Sequence, residues 1–88
     1  MAHIPLEELA QRLTDAGREV EVGVRYVHYK DSTKEYVVKS LVIIEATEEV
    51  GVLYEAQYDK RISFMRPLAD FCAVVHVDVT PMPRFTKI

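Results

Sequence analysis

The apolar period of this chain changes near residue 20, and that change limits the folds open to it. Before it, Leu6, Leu9, Ala10 and Leu13 recur at helical spacing. After it, Val20, Val22, Val24 and Tyr26 alternate with Glu21, Gly23 and Arg25, the period of a half-buried strand. The two-residue period returns at Val50, Val52, Tyr54, Ala56 and Tyr58, and again at Ala73, Val75, Val77 and Val79. One short helix followed by repeated alternation predicts a mainly β domain.

The helix is expected over Pro5–Ala16. Pro5 suits its first position, Glu7 and Glu8 suit the positive end of its dipole, and Gly17 suits the position past its end. A helix this short is marginal in water, so its leucine face is expected to dock, as a lid on the β-structure or on a partner. The first strand runs from Val20, with His28 facing inward and Tyr29 outward. Lys30–Lys34 reads as a polar turn. Glu35–Ala46 is apolar on both faces at its centre and reads as a central strand, forming a hairpin with Val50–Tyr58 through Thr47-Glu48-Glu49. Ile62–Arg66 is a short strand stopped by Pro67, which has no N–H for a ladder. Pro67–Asp70 reads as one helical turn, Ala73–Val79 as a last strand with Ala73, Val75, Val77 and Val79 inward, and Pro83-Arg84-Phe85 as an extended tail. The expected architecture is a small, SH3-like, partly open barrel of about five antiparallel strands. It divides into an N-terminal helix and connection (1–19) and a β-barrel domain (20–88). An open sheet with the helix across one face is the alternative.

Composition narrows the function. The net charge is −3, from 14 acidic and 11 basic side chains, without the basic excess of a dedicated nucleic-acid binder. Cys72 is the single cysteine, so no intrachain disulfide forms. No leader pattern opens the chain, and the longest apolar run, Leu41–Ile44, is far too short to span a bilayer. A cytoplasmic location with no membrane partner is expected.

Reactive chemistry is sparse. Cys72, His76 and Asp78 share a strand face, but no second Cys/His pair completes a tetrahedral metal cage. Ser32, Ser40, Ser63 and Cys72 lie in no nucleophile signature beside His28 or His76. The glycines are isolated, so no phosphate-binding loop forms. No cofactor and no enzymatic activity are expected. The concentrated chemistry is Arg25-Tyr26-Val27-His28-Tyr29-Lys30, joined by Arg66 and Arg84. Tyrosine and arginine dominate binding hot spots. Tyr26, His28, Tyr29, Lys30, Arg66 and Arg84 are therefore the candidate ligand-binding residues, with Tyr54, Tyr58, Phe64 and Phe85 as neighbouring rings. For the tyrosines the competing reading is plain core. For Arg66 it is a brace to an internal acid such as Glu55 or Asp70.

Spaced motifs connect these residues to a family. The chain carries Tyr26, His28, Tyr29 and Lys30, then Tyr36 and Val38. Val52, Tyr54, Ala56 and Tyr58 follow, then Arg66-Pro67-Leu68, Phe71 and Pro83-Arg84-Phe85. Over about Gly23–Phe85 this resembles the bacterial family catalogued as domain of unknown function 1653. That family has a Tyr-Arg-His-Tyr-Lys-Gly stretch, a Val-x-Tyr-x-Ala-x-Tyr strand, an Arg-Pro-Leu corner and a terminal Pro-Arg-Phe. Val27 and Asp31 depart from its first motif, Phe64 stands where tryptophan is frequent, and Ile44-Glu45-Ala46-Thr47 replaces His-Ser-Glu-Thr. The resemblance implies a compact domain and brings no activity with it.

The expected function is a non-enzymatic binding module. Its Tyr/His/Arg pocket would take an anionic or aromatic small molecule or a peptide. Nucleic-acid or nucleotide binding is the alternative, and a homodimer is left open.

Overall fold

The computed structural model describes residues 4–88; the first three residues of the expected 1–19 segment lie outside the described residues. The fold is mainly β. Helix α1 (Leu6–Ala16) is followed by β1 (Arg25–His28), β2 (Asp31–Ile44), β3 (Glu49–Ala56) and β4 (Ser63–Pro67). A helical turn, α2 (Leu68–Phe71), leads to β5 (Val74–Val77), β6 (Thr80–Pro83) and β7 (Phe85–Lys87). Five strands form one antiparallel sheet in the order β4-β3-β2-β1-β7, and β5 and β6 form a separate two-stranded ribbon. The sheet stays partly open, with β4 and β7 as its edges.

Four local expectations change. The first strand starts at Arg25, not Val20. Gly23 takes φ 84°, a left-handed turn conformation that glycine adopts without penalty, and it ends the extended run. Val20 instead caps the helix, its N–H donating to Ala16 O at 2.9 Å, and drops into the core. The turn at Lys30–Lys34 shrinks to Tyr29-Lys30, because Asp31 bonds the Thr33 N–H and hydroxyl and starts β2. The last-strand reading also changes. The chain reverses at Asp78, with φ 59°, so Val77 and Val79 are exposed rather than inward. Finally, the tail is a strand: β7 pairs with β1 in the register Tyr26↔Lys87, Val27↔Thr86 and His28↔Phe85.

The core consists of Val20, Tyr26, Val38, Val52, Tyr54, Phe71 and Phe85. Phe71 lies flat on Phe85, with ring centres 4.2 Å apart and planes 4° from parallel. The turn α2, set by the Arg66-Pro67-Leu68 corner, delivers Phe71 to that stack. Helix α1 meets β2 and β3. Its leucine face is less buried than expected: Leu6 is 83% exposed, Leu9 and Leu13 are half-buried, and within the helix only Ala16 is fully buried.

Candidate functional site

One row of side chains crosses the whole five-stranded sheet. Phe64 and Arg66 come from β4, Tyr54 from β3, Tyr36 from β2, His28 from β1 and Phe85 from β7. Together they line a cavity of about 180 Å³. The strands place them by register: Phe64 faces Tyr54 across β4 and β3, and His28 faces Phe85 across β1 and β7. The rings touch in sequence. Phe64–Tyr54 centres are 5.8 Å apart, Tyr54–Tyr36 5.6 Å, Tyr36–Phe85 5.9 Å and Phe85–His28 5.0 Å.

Arg66 is held without a carboxylate. Its Nε–H donates to the Tyr54 hydroxyl at 3.0 Å, and its guanidinium lies 5.7 Å from the Phe85 ring centre. The four ion pairs among the described residues join Arg12–Glu8, Arg18–Asp15, Arg25–Glu35 and Lys87–Glu21. Neither Glu55 nor Asp70 braces Arg66, and Lys30 and Arg84 are also outside these pairs. The terminal nitrogens of Arg66 keep the planar fork that matches a carboxylate or phosphate. Arg84 adds a buried Nε with no hydrogen-bond partner among the described residues, while its backbone is tied to Tyr29 and Ala73.

His28 accepts a hydrogen bond at Nδ1 from the Lys30 N–H at 3.2 Å. An accepting Nδ1 puts the ring proton of neutral His28 on Nε2. Burial lowers the His28 pKa below 6.5, and the charges of Arg66, Lys30 and Arg84 lower it further. The folded value lies below the unfolded one. Neutral His28 therefore supports the fold above the unfolded pKa, and that support is lost as the pH falls through 6.5 toward the folded value. In an NMR titration the His28 midpoint is expected below 6.5, and Arg66→Gln is expected to raise it. A midpoint that ignores the substitution would place Arg66 away from the imidazole.

Of the six candidate residues, the structure brings His28 and Arg66 into the cavity, with Arg84 and Lys30 close enough to act on His28 by charge. Tyr29 packs against the imidazole at 4.7 Å and carries the Lys30 ammonium 5.9 Å from its ring centre, outside the cavity lining. Tyr26 lies elsewhere. It is 6% exposed, edge-on to Phe71, and its hydroxyl accepts from the Glu21 N–H at 3.0 Å. Its place is the core, as the competing reading had it, because its hydroxyl finds a backbone partner there.

Tyr36 is the lining residue that reading the candidates from composition missed. Its hydroxyl is 2.6 Å from that of Tyr58, and burial, followed by the Tyr58 hydrogen bond, pushes its pKa up to about 12. It therefore stays a neutral donor and acceptor. The available signal was cross-strand: folding the Glu35–Ala46 and Val50–Tyr58 segments as a hairpin brings Tyr36 beside the Tyr54/Tyr58 face.

Among the described residues no three His, Cys, Asp or Glu side chains gather to hold a metal, and no helix is long and apolar enough to cross a membrane. Cys72 is exposed as a residue, while partial desolvation of its thiol and the nearby Glu19 raise its pKa.

A search of curated proteins found no match. A crystal structure of a DUF1653 protein from Bordetella bronchiseptica is similar, with 27% identity and a TM-score of 0.68 over 81% of this chain and 90% of that one. Residues 24–87 match the family described as protein of unknown function, DUF1653, and contain every strand and every cavity-lining residue. The chain belongs to that family.

Proposed function

We propose that this protein is a non-enzymatic binding module whose cavity takes a small anion attached to a flat or apolar body. The observation that carries the reading is Arg66. It is a half-buried guanidinium without a carboxylate partner among the described residues, oriented by Tyr54 and backed by Phe85, at an aromatic cavity. A charge held in this way favours an anion that completes its hydrogen bonds. Arg84, Lys30 and His28 add positive potential or a donor beside it. The cavity of about 180 Å³ is below the ~300–1,000 Å³ typical of drug-sized ligands. It suits one ring or one acidic side chain, which favours a small molecule or peptide over a nucleic-acid strand.

The test is an NMR titration of ¹⁵N-labelled protein with benzoate, inorganic phosphate and a short oligothymidylate. Benzoate is expected to shift the amides of His28, Phe64, Arg66 and Phe85 saturably. Bound anion should also raise the His28 midpoint, because charge coupling is reciprocal. Absence of saturable benzoate binding overturns the reading. Saturable, salt-dependent oligothymidylate binding at the same amides would put nucleic acid in its place.

A further inference from the structure

The geometry points to strand β4 as a docking edge for an extended acidic peptide, one of whose carboxylate side chains enters the cavity beside Arg66. This rests on the anion-binding reading of that cavity and adds the partner class and its mode of attachment.

Among the described residues, strand β4 ends the sheet and has no neighbour on its outer side. The direction of its backbone groups follows from one bond: the Ala56 N–H donates to Ile62 O at 3.0 Å across the start of the β3–β4 ladder. Antiparallel ladders alternate, so Ile62, Phe64 and Arg66 direct their backbone groups toward β3. Ser63 and Met65 therefore direct N–H and C=O outward. Pro67, which lacks an N–H, falls on the same outward set. An exposed edge of this kind is a template for a further strand.

The side chains of the edge select the guest. Phe64 and Arg66 share one face of β4 and both line the cavity. A guest strand would hold its side chains about 4.5–5.5 Å from theirs, within reach of the free fork of Arg66. Ile62, Phe64 and Met65 are 56%, 43% and 50% exposed, which offers apolar cover to the guest. From Lys60 to Pro67 the chain carries Lys60, Arg61 and Arg66 and no carboxylate. A parallel, in-register pairing of β4 with a second copy of itself would bring these like charges together, which is unfavourable. An acidic strand meets complementary charge instead.

The test uses the full chain and a fluorescein-labelled peptide, acetyl-Thr-Val-Glu-Val-Thr-amide, read by anisotropy and by NMR. Saturable binding is expected, with the glutamine version of the peptide at least tenfold weaker. Met65→Pro removes an outward N–H without touching the β3 ladder. It is expected to abolish peptide binding while leaving benzoate binding intact. Met65→Ala keeps the N–H and should bind within a few-fold of the parent. The inference is overturned if Met65→Pro binds the peptide as the parent does. It is also overturned if the parent binds benzoate but not the peptide, or if sedimentation shows β4 occupied by a second copy. Loss of benzoate binding by the parent would instead remove the cavity reading beneath it.

Discussion

Phe85→Ala is expected to destabilise the protein by about 3–5 kcal/mol, the range for deleting a buried aromatic ring. A domain of this size holds on the order of 5–10 kcal/mol in total, so the variant should lose a large share of its stability. The reason is the position of the ring. It stacks on Phe71 and meets His28, Tyr36 and Tyr54 edge-on, and it is 7% exposed although it sits in a three-residue edge strand. Removing it takes away the anchor of β7, the seat of α2 and one wall of the cavity together. Phe64→Ala provides the contrast: at 43% exposure the substitution should cost about 1 kcal/mol, since nearly half of that residue is already in water. Urea denaturation followed by circular dichroism measures both. If Phe85→Ala loses no more than Phe64→Ala, the aromatic stack is not the core described above.

Arg66→Gln is expected to separate binding from stability. In the folded protein Arg66 makes one side-chain hydrogen bond and one contact over a ring. A charged hydrogen bond contributes about 1.5–3 kcal/mol at most, and a partly exposed cation over a ring about 0.5–1 kcal/mol. Glutamine recovers part of the first by bonding to Tyr54. The net loss should therefore be about 1–2 kcal/mol, and the domain should remain folded. Benzoate binding should fall at least tenfold, because the fork that receives the carboxylate is gone. Calorimetric titration and urea denaturation on the same samples decide between the alternatives. A loss of ~3 kcal/mol or more, the signature of a broken buried ion pair, would return Arg66 to a bracing role and remove the basis for the site.

Legibility from sequence followed the range of the interactions involved. The helix, the central hairpin and the corner at Pro67 were readable because each depends on local periodicity or on the backbone limits of proline. The start of the first strand was misplaced, because the alternation of Val20, Val22 and Val24 continues through Gly23, and only the fold requires a left-handed turn there. His28 and Arg66 stood out as polar groups on inward-facing positions. Tyr26 stood out for the same reason and proved to be core, since a hydroxyl is satisfied by one backbone N–H, whereas a guanidinium is not. Tyr36 was overlooked because its role comes from neighbours on two other strands and from Phe85.

The sequence by itself determined a mainly β, antiparallel chain led by one short helix, with cations and aromatic rings concentrated where His28 and Arg66 stand. Side-chain period and turn residues act over a few positions, so they are written into the chain directly. Only the tertiary structure decided that Phe85 pairs beside His28 and that Arg66 lacks a carboxylate among the described residues. The same holds for β4, which stays an open edge. These depend on which distant strands become neighbours, and that is settled by the burial of Phe71 against Phe85, a contact between residues 14 positions apart that no local pattern encodes.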